Sequence, residues 1–265
     1  MKGGYFLFNG QFHKESDAVF ALADLSARTV GFSDVFRAEH NEILFPLAIS
    51  AHLIATAETI GLEISGIIGP DGRLLRKDVS RLLNKNKLFL AARIRIQIYP
   101  SGDRINCILA AEEIERGYYP LNEPGLLLSF QNDQLNEGSK FSIFKSDQLF
   151  VGQGTGWLCE DIINGSFAFL NGDRVIFPSA GTFGTRCSIR NEVIQSVKES
   201  GFQIEERDEI NSDDLLEADE LFLYDACSGI QKVLGLKDRR YFSPKTRLIA
   251  EKLSERAKMG KFVEI

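Results

Sequence analysis

The sequence predicts an α+β protein of two lobes. Helical and strand patterns mix along the chain without the strict strand-helix alternation of a doubly wound sheet. At 265 residues the chain is long enough for two domains. Between patterned stretches, "GYYPLNEPG" crowds two prolines and two glycines into residues 117–125, a composition that breaks regular structure. The expected division is a domain at 1–116, a linker at 117–125 and a domain at 126–265.

In the first lobe, "YFLFNGQFHK" reads as two short strands joined by Asn9-Gly10, a two-residue turn signal. "VFRAEHNEILFPL" repeats the arrangement, with a polar tip from Glu39 to Glu42. After Pro46, the residues Leu47, Ala51, Ile54, Ala57 and Ile60 recur at spacings of three and four, which predicts a helix stopped by Gly61. "RKDVSRLLNKNKL" predicts a second helix through Asp78 and Leu82, whose basic end at Lys85 and Lys87 suits the negative C-terminal dipole. In "LAARIRIQIYPSGDRINCILAAEEI" two β-branched strands flank a turn at Pro100-Ser101-Gly102-Asp103. Ile94, Ile96 and Ile98 share one strand face, leaving Arg93, Arg95 and Gln97 on the other. That arginine face is either solvated or lines a cleft for an anion.

The second lobe begins with a strand at "LLLSF". A strand pair "FAFLNGDRVIFP" turns at Asn171-Gly172, and a helix is expected from about Ser188 to Gly201. A strand "FQIEERD", a short helix "SDDLLEAD", a strand "ELFLYD" and a last helix from Pro244 complete it.

Composition excludes several classes. A net charge of −6, with no dense basic cluster interleaved with aromatics, argues against nucleic acid as a partner. The longest apolar run, "LFPLAISAHLIATA", falls short of the roughly 18 residues of a membrane span. The start "MKGGYFLFNGQF" carries no signal-type apolar region, so a cytoplasmic protein is expected. Cys107, Cys159, Cys187 and Cys227 are scattered without metal-ligand spacing, as are His13, His40 and His52. No metal is expected.

Two segments carry candidate chemistry. "SIFKSDQLFVGQGTGWLCE" places Lys145 and Glu160 on either side of a glycine-broken apolar run, a nucleophile with its electron-withdrawing partner or a surface cation with a strand-end anion. "PSAGTFGTRCSIRNEVI" runs from a strand end through Gly184 and Thr185 into a helix. Such a start suits a phosphate, whose oxygens take backbone N–H groups, or an ordinary helix cap.

Taken in order, "FNG", "GFSDVF", "LFPLAISAHLIATA", "ARIRI", Lys145, "EDIINGSFAF", "VIFP", "GTFGTR" and "GFQIEERDEINSDDLLEADELFLYDACSGIQKV" resemble the landmarks of the class IV aminotransferase family. These are the fold type IV enzymes that use pyridoxal 5'-phosphate, among them branched-chain aminotransferases, D-amino acid aminotransferases and aminodeoxychorismate lyases. The resemblance spans nearly the whole length and is most specific over 160–233.

It implies a two-lobed fold with mixed sheets and a pseudo-barrel C-terminal domain, an amino acid substrate, and a homodimer with its active site near the subunit interface. Lys145 would form the Schiff base with pyridoxal phosphate and shuttle the substrate proton. Glu160 would face the pyridine nitrogen. Gly184 and Thr185 would hold the phosphate, and Arg93 and Arg95 are candidates for the substrate carboxylate.

The departures fall on the same site. The family's phosphate arginine is His52 here, its helix histidine is Ile49, and the "GD.VFE" glutamate is Arg37. A neutral imidazole offers one donor where arginine offers a charged fork. In "YDACSGI" the position that often supplies a phosphate hydroxyl is Ala226, with Ser228 as a substitute. Only the 14 residues 146–159 separate Lys145 from Glu160, where the family fits a helix and a strand. The readings that follow are a class IV aminotransferase, a lyase of the same fold, a relative that has lost the cofactor, and, more distantly, a nucleotide or sugar-phosphate binder.

Overall fold

The computed structural model describes residues 4–14, 16, 31–69, 71–128, 142–144, 148–150, 165–179 and 187–259. They form two compact units, Met1–Gly117 and Tyr118–Ile265.

The first unit is an antiparallel sheet with helices. Its strands are β1 (Tyr5–Phe8), β2 (Gln11–Lys14), β3 (Phe32–Glu39), β4 (Glu42–Ile43), β5 (Ala91–Ser101) and β6 (Arg104–Glu113), in the spatial order β2-β1-β6-β5-β3-β4. Its helices are α1 (Pro46–Thr59), α2 (Ser65–Ile68) and α3 (Arg73–Asn86). The period of two holds along β5. Ile94, Ile96 and Ile98 are at most 1% exposed and face Phe36, Asp34 and Phe32 across the ladder, while Arg95 is exposed on the opposite face. Each of these isoleucines contributes about 1.5–3 kcal/mol by leaving water.

Turn chemistry sets the registers. Asn9 and Gly10 both have positive φ, 50° and 76°, the requirement of a type I′ hairpin. In the β5–β6 turn, Ser101 pairs with Arg104, so the turn is Gly102-Asp103 alone and Pro100 belongs to the strand. Only Gly102 there has positive φ, 60°, which fits a type II′ turn with glycine first.

Helix α1 turns a different face inward from the one its spacing predicts. Ile49, Ser50, Leu53 and Ala57 are buried, whereas Leu47 is 56% and Ile60 39% exposed. The helix is apolar on most sides, so periodicity alone does not select a stripe. Packing does: a Cβ on Gly72 would lie 2.2 Å from Ser50 Oγ, a close approach that needs glycine on one side and a small residue on the other.

The second unit contains β7 (Leu126–Leu128), β8 (Ser142–Phe144), β9 (Gln148–Phe150), β10 (Ser166–Asn171), β11 (Arg174–Pro178), α4 (Arg190–Glu199), β12 (Gln203–Arg207), α5 (Ser212–Glu217), β13 (Glu220–Asp225), β14 (Gly229–Leu236), β15 (Arg239–Arg240) and α6 (Pro244–Met259). The main sheet runs β12-β11-β10-β13-β14-β15, with β7 parallel to β14 and β11 parallel to β12; β8 and β9 pair separately. Every residue of β13 is buried, the pattern of a strand covered on both faces. The β10–β11 turn is Gly172-Asp173, one residue later than Asn171-Gly172, because Asn171 pairs with Arg174. Helix α5 starts on a capping box in which Asn211 accepts from the amides of Asp213 and Asp214.

The 117–125 segment, read from the sequence as a linker, packs onto the second unit from Tyr118 onward. Tyr119 is 3% exposed, and Asn122 Oδ1 accepts the Lys232 amide at 2.7 Å.

Candidate functional site

The most fully built polar feature of the second unit is the turn between β13 and β14. The strand "ELFLY" is buried throughout and ends on Asp225, followed by Ala226, Cys227 and Ser228 before Gly229 opens β14. A short carboxylate in this position can reach the amides two and three residues on. Asp225 does so: its Oδ1 accepts the N–H groups of Cys227 and Ser228, each at 2.7 Å, and its Oδ2 accepts Gln231 Nε2 at 2.9 Å. Asp225 is 9% exposed. Burial pushes its carboxyl above the usual range, against the pull of the bonds from Ser228, Cys227 and Gln231.

The turn is held from outside as well. Tyr119 Oη donates to the Ala226 carbonyl at 3.0 Å. Gly229 has φ +69°, and a Cβ there would meet the Tyr119 ring at 2.5 Å, so both conformation and space require glycine.

In the first unit, α1 carries His52 half-buried, with no hydrogen bond or ion pair among the described residues. Burial holds its imidazole below the ordinary histidine range, so the ring is neutral at pH 7. On β5, Arg93 pairs with Glu112 at 2.8 Å across the β5–β6 ladder. Arg95, two residues on along the same face, is exposed and makes no hydrogen bond or ion pair among the described residues. Arg37 sits opposite Arg93, 4% exposed, with its guanidinium on Glu39 and on the Glu115 carbonyl. Glu39 also accepts the Gly117 amide at 3.0 Å.

These positions account for half of the expected site. The structure brings Arg93 and Arg95 onto one face and places Ser228 in the turn, with its amide committed to Asp225. Lys145, Glu160, Gly184 and Thr185 lie outside the described residues. Sequence reasoning singled out Ala226 and Ser228 and missed Asp225. The available signal was an aspartate ending a fully apolar strand ahead of small residues and a glycine.

Does this arrangement fit the phosphate of pyridoxal phosphate? A dianion needs convergent N–H donors and a cation. The amides of Cys227 and Ser228 are already spent on the Asp225 carboxyl group. In the first unit, the position that the family resemblance gives to an arginine holds a neutral imidazole. Ser188, just ahead of α4, argues the other way: its buried Oγ has no hydrogen-bond partner among the described residues. Within the second unit, the described turn therefore does not fit the group, while Gly184 and Thr185, which the resemblance puts on the phosphate, lie outside the described residues.

No family sequence model and no curated sequence matches the chain. Solved structures do. The branched-chain aminotransferase of the archaeon Thermoproteus uzoniensis, determined with norvaline, superposes with a TM-score of 0.71 at 17% identity, over 99% of this chain and 97% of that one. A hypothetical aminotransferase from Mycobacterium tuberculosis in its PLP-bound form gives 0.67 at 12% identity, over 96% and 99%. The branched-chain amino acid aminotransferase of Escherichia coli gives 0.65 at 14% identity, over 98% and 94%.

Proposed function

We propose that this chain, which has the fold of the class IV aminotransferases, has given up pyridoxal phosphate and keeps the scaffold, paired as a homodimer, for a binding or structural role. The observation that carries this reading is the Asp225 carboxyl group, which takes the amides of Cys227 and Ser228 in the turn where the family resemblance puts a phosphate hydroxyl. His52 supports it, since a neutral imidazole stands where the family resemblance puts a permanently charged arginine. The test is covalent capture. Protein incubated with pyridoxal 5'-phosphate and reduced with borohydride should carry no cofactor mass on Lys145. A stoichiometric adduct on that lysine would refute the reading.

A second reading is a working class IV aminotransferase acting on an amino acid, or a lyase of the same fold. It is favoured by fold agreement over nearly the full length of both chains and by the Ser188 hydroxyl, three residues after Thr185 in the sequence, which has no hydrogen-bond partner among the described residues. In that reading Lys145 is the nucleophile and Glu160 the partner of the pyridine nitrogen. Gly184 and Thr185 contact the phosphate, and Arg95 with Arg93 meets the substrate carboxylate. Quantitative fixation of the cofactor on Lys145 is the outcome that favours it.

A further inference from the structure

We infer that the first unit holds a binding site of its own, for a small apolar molecule ended by a carboxylate, in the cavity between helices α2 and α3 and the face of strands β1 and β6. The inference goes beyond the cofactor-free reading and does not depend on it. Leu7 pairs with Leu109, and Cys107 with Ile98, so these side chains share the sheet face of Ile94, Ile96 and Ile98, opposite Arg95. There they floor a space of about 310 Å³, walled by Ile67 of α2 and Leu74 of α3, at the small end of the range for small-molecule pockets.

Two glycines leave the space unfilled. Gly66 lines it from α2, has no positive φ, and a Cβ there would meet nothing within 4 Å, so neither conformation nor crowding requires glycine at this helical position. At Gly10 the nearest atom to a Cβ would be Asp78 Oδ2, 4.0 Å away. The polar side of the cavity comes from α3. Arg81 Nη1 donates to Asp78 Oδ1 at 2.8 Å, its Nη2 donates to the Gly10 carbonyl at 3.2 Å, and its guanidinium lies over the Phe12 ring. Lys77, exposed and bordering the same cavity, makes no hydrogen bond or ion pair among the described residues. It follows Leu74 by three residues, on one flank of the helix, and Leu74 is itself 43% exposed. The uncompensated charge is therefore one ammonium beside apolar walls, which selects an anion on an apolar body. Asp78 close by disfavours a second negative charge, so a carboxylate suits the site better than a phosphate dianion. Burial, with Asp78, pushes the Cys107 thiol up to about 12, so it stays neutral and acts as apolar floor.

The probes are octanoate, octanol and octylammonium, which share one tail and differ in charge, and the measurement is the proton–nitrogen amide spectrum of the full chain. Octanoate should shift the amides of Gly10, Gly66 and Cys107 saturably, at one-to-one stoichiometry. Octanol should shift the same amides with about two- to fivefold weaker affinity, the worth of one exposed ion pair, and octylammonium should bind more weakly still. Lys77→Ala, at an exposed position, should bring octanoate to the affinity of octanol and leave octanol unchanged. Absence of a saturable shift at these amides, octylammonium binding as tightly as octanoate, or Lys77→Ala without effect on octanoate each overturns the inference. Fixation of pyridoxal phosphate on Lys145 in wild type refutes the cofactor-free reading alone and leaves this result standing.

Discussion

The carboxylate of Asp225 and the carboxamide of Gln231 meet at 2.9 Å across the β13–β14 hairpin, completing a three-donor ring around one buried anion. A single side chain thereby accepts from two successive amides of the turn. The cost is a carboxylate out of water.

That balance predicts a pH signature. The folded-state pKa of Asp225 is raised, so its contribution to stability is fully present below the unfolded value near 3.8 and is lost as pH rises through the folded value. Asp225→Asn mimics the protonated form and keeps an acceptor. Its stability relative to wild type should therefore increase as pH rises from about 4 to about 8. Asp225→Ala strands two amides and should lose about 2–4 kcal/mol at neutral pH. Urea denaturation across that range measures both; a flat Asn-to-wild-type difference contradicts the assignment.

Gly229 and Tyr119 make a steric prediction. Gly229→Ala forces a Cβ to 2.5 Å from the Tyr119 ring at a φ of +69°, so a loss of at least about 2 kcal/mol is expected. Adding Tyr119→Ala should not restore stability, because alanine keeps the Cβ that also lies 2.5 Å away, and the change removes the Ala226 bond and leaves the backbone strain. Unfolding midpoints of the two single variants and the double variant settle this.

Local signals made much of the fold legible. Asn9-Gly10, the alternating isoleucines of β5 and the order of elements in the second unit are short-range properties, and each appears in the structure. The inward face of α1 was not readable, because an apolar helix is oriented by what packs on it, here Gly72 against Ser50. Site chemistry was legible as residue type, in the polar His52 on a largely apolar helix. It was hidden where it depended on a bond between near neighbours: Asp225 is inconspicuous in "YDACSGI" until its carboxylate is seen on the amides of Cys227 and Ser228. Arg93 offers an anion less than its sequence position implied, since Glu112 directly opposite already engages it.

Arg37 and Glu39 form a buried pair, with side chains 5% and 2% exposed. Removing one partner strands a charge, so Arg37→Met should cost about 3–5 kcal/mol. Arg37→Met with Glu39→Gln, which keeps an acceptor for the Gly117 amide, should cost less than the single change. A double-mutant cycle by chemical denaturation reads the coupling; additivity would show that the pair is not coupled.

His52 gives an acid-side prediction. Its pKa is lowered by burial, so its contribution is fully present above the unfolded value of 6.5 and is lost as pH falls through the folded value. His52→Gln should therefore gain on wild type as pH falls below 6.5, as followed by thermal unfolding at stepped pH. Parallel curves for the two proteins contradict a buried neutral imidazole.

The central claim is that the aminotransferase fold persists here without its cofactor, and equilibrium titration of wild type with pyridoxal 5'-phosphate tests it most directly. Wild type should show no saturable visible band and no rise in melting temperature at cofactor concentrations that saturate a working aminotransferase. A saturable one-to-one band, lost in Lys145→Ala, would contradict it.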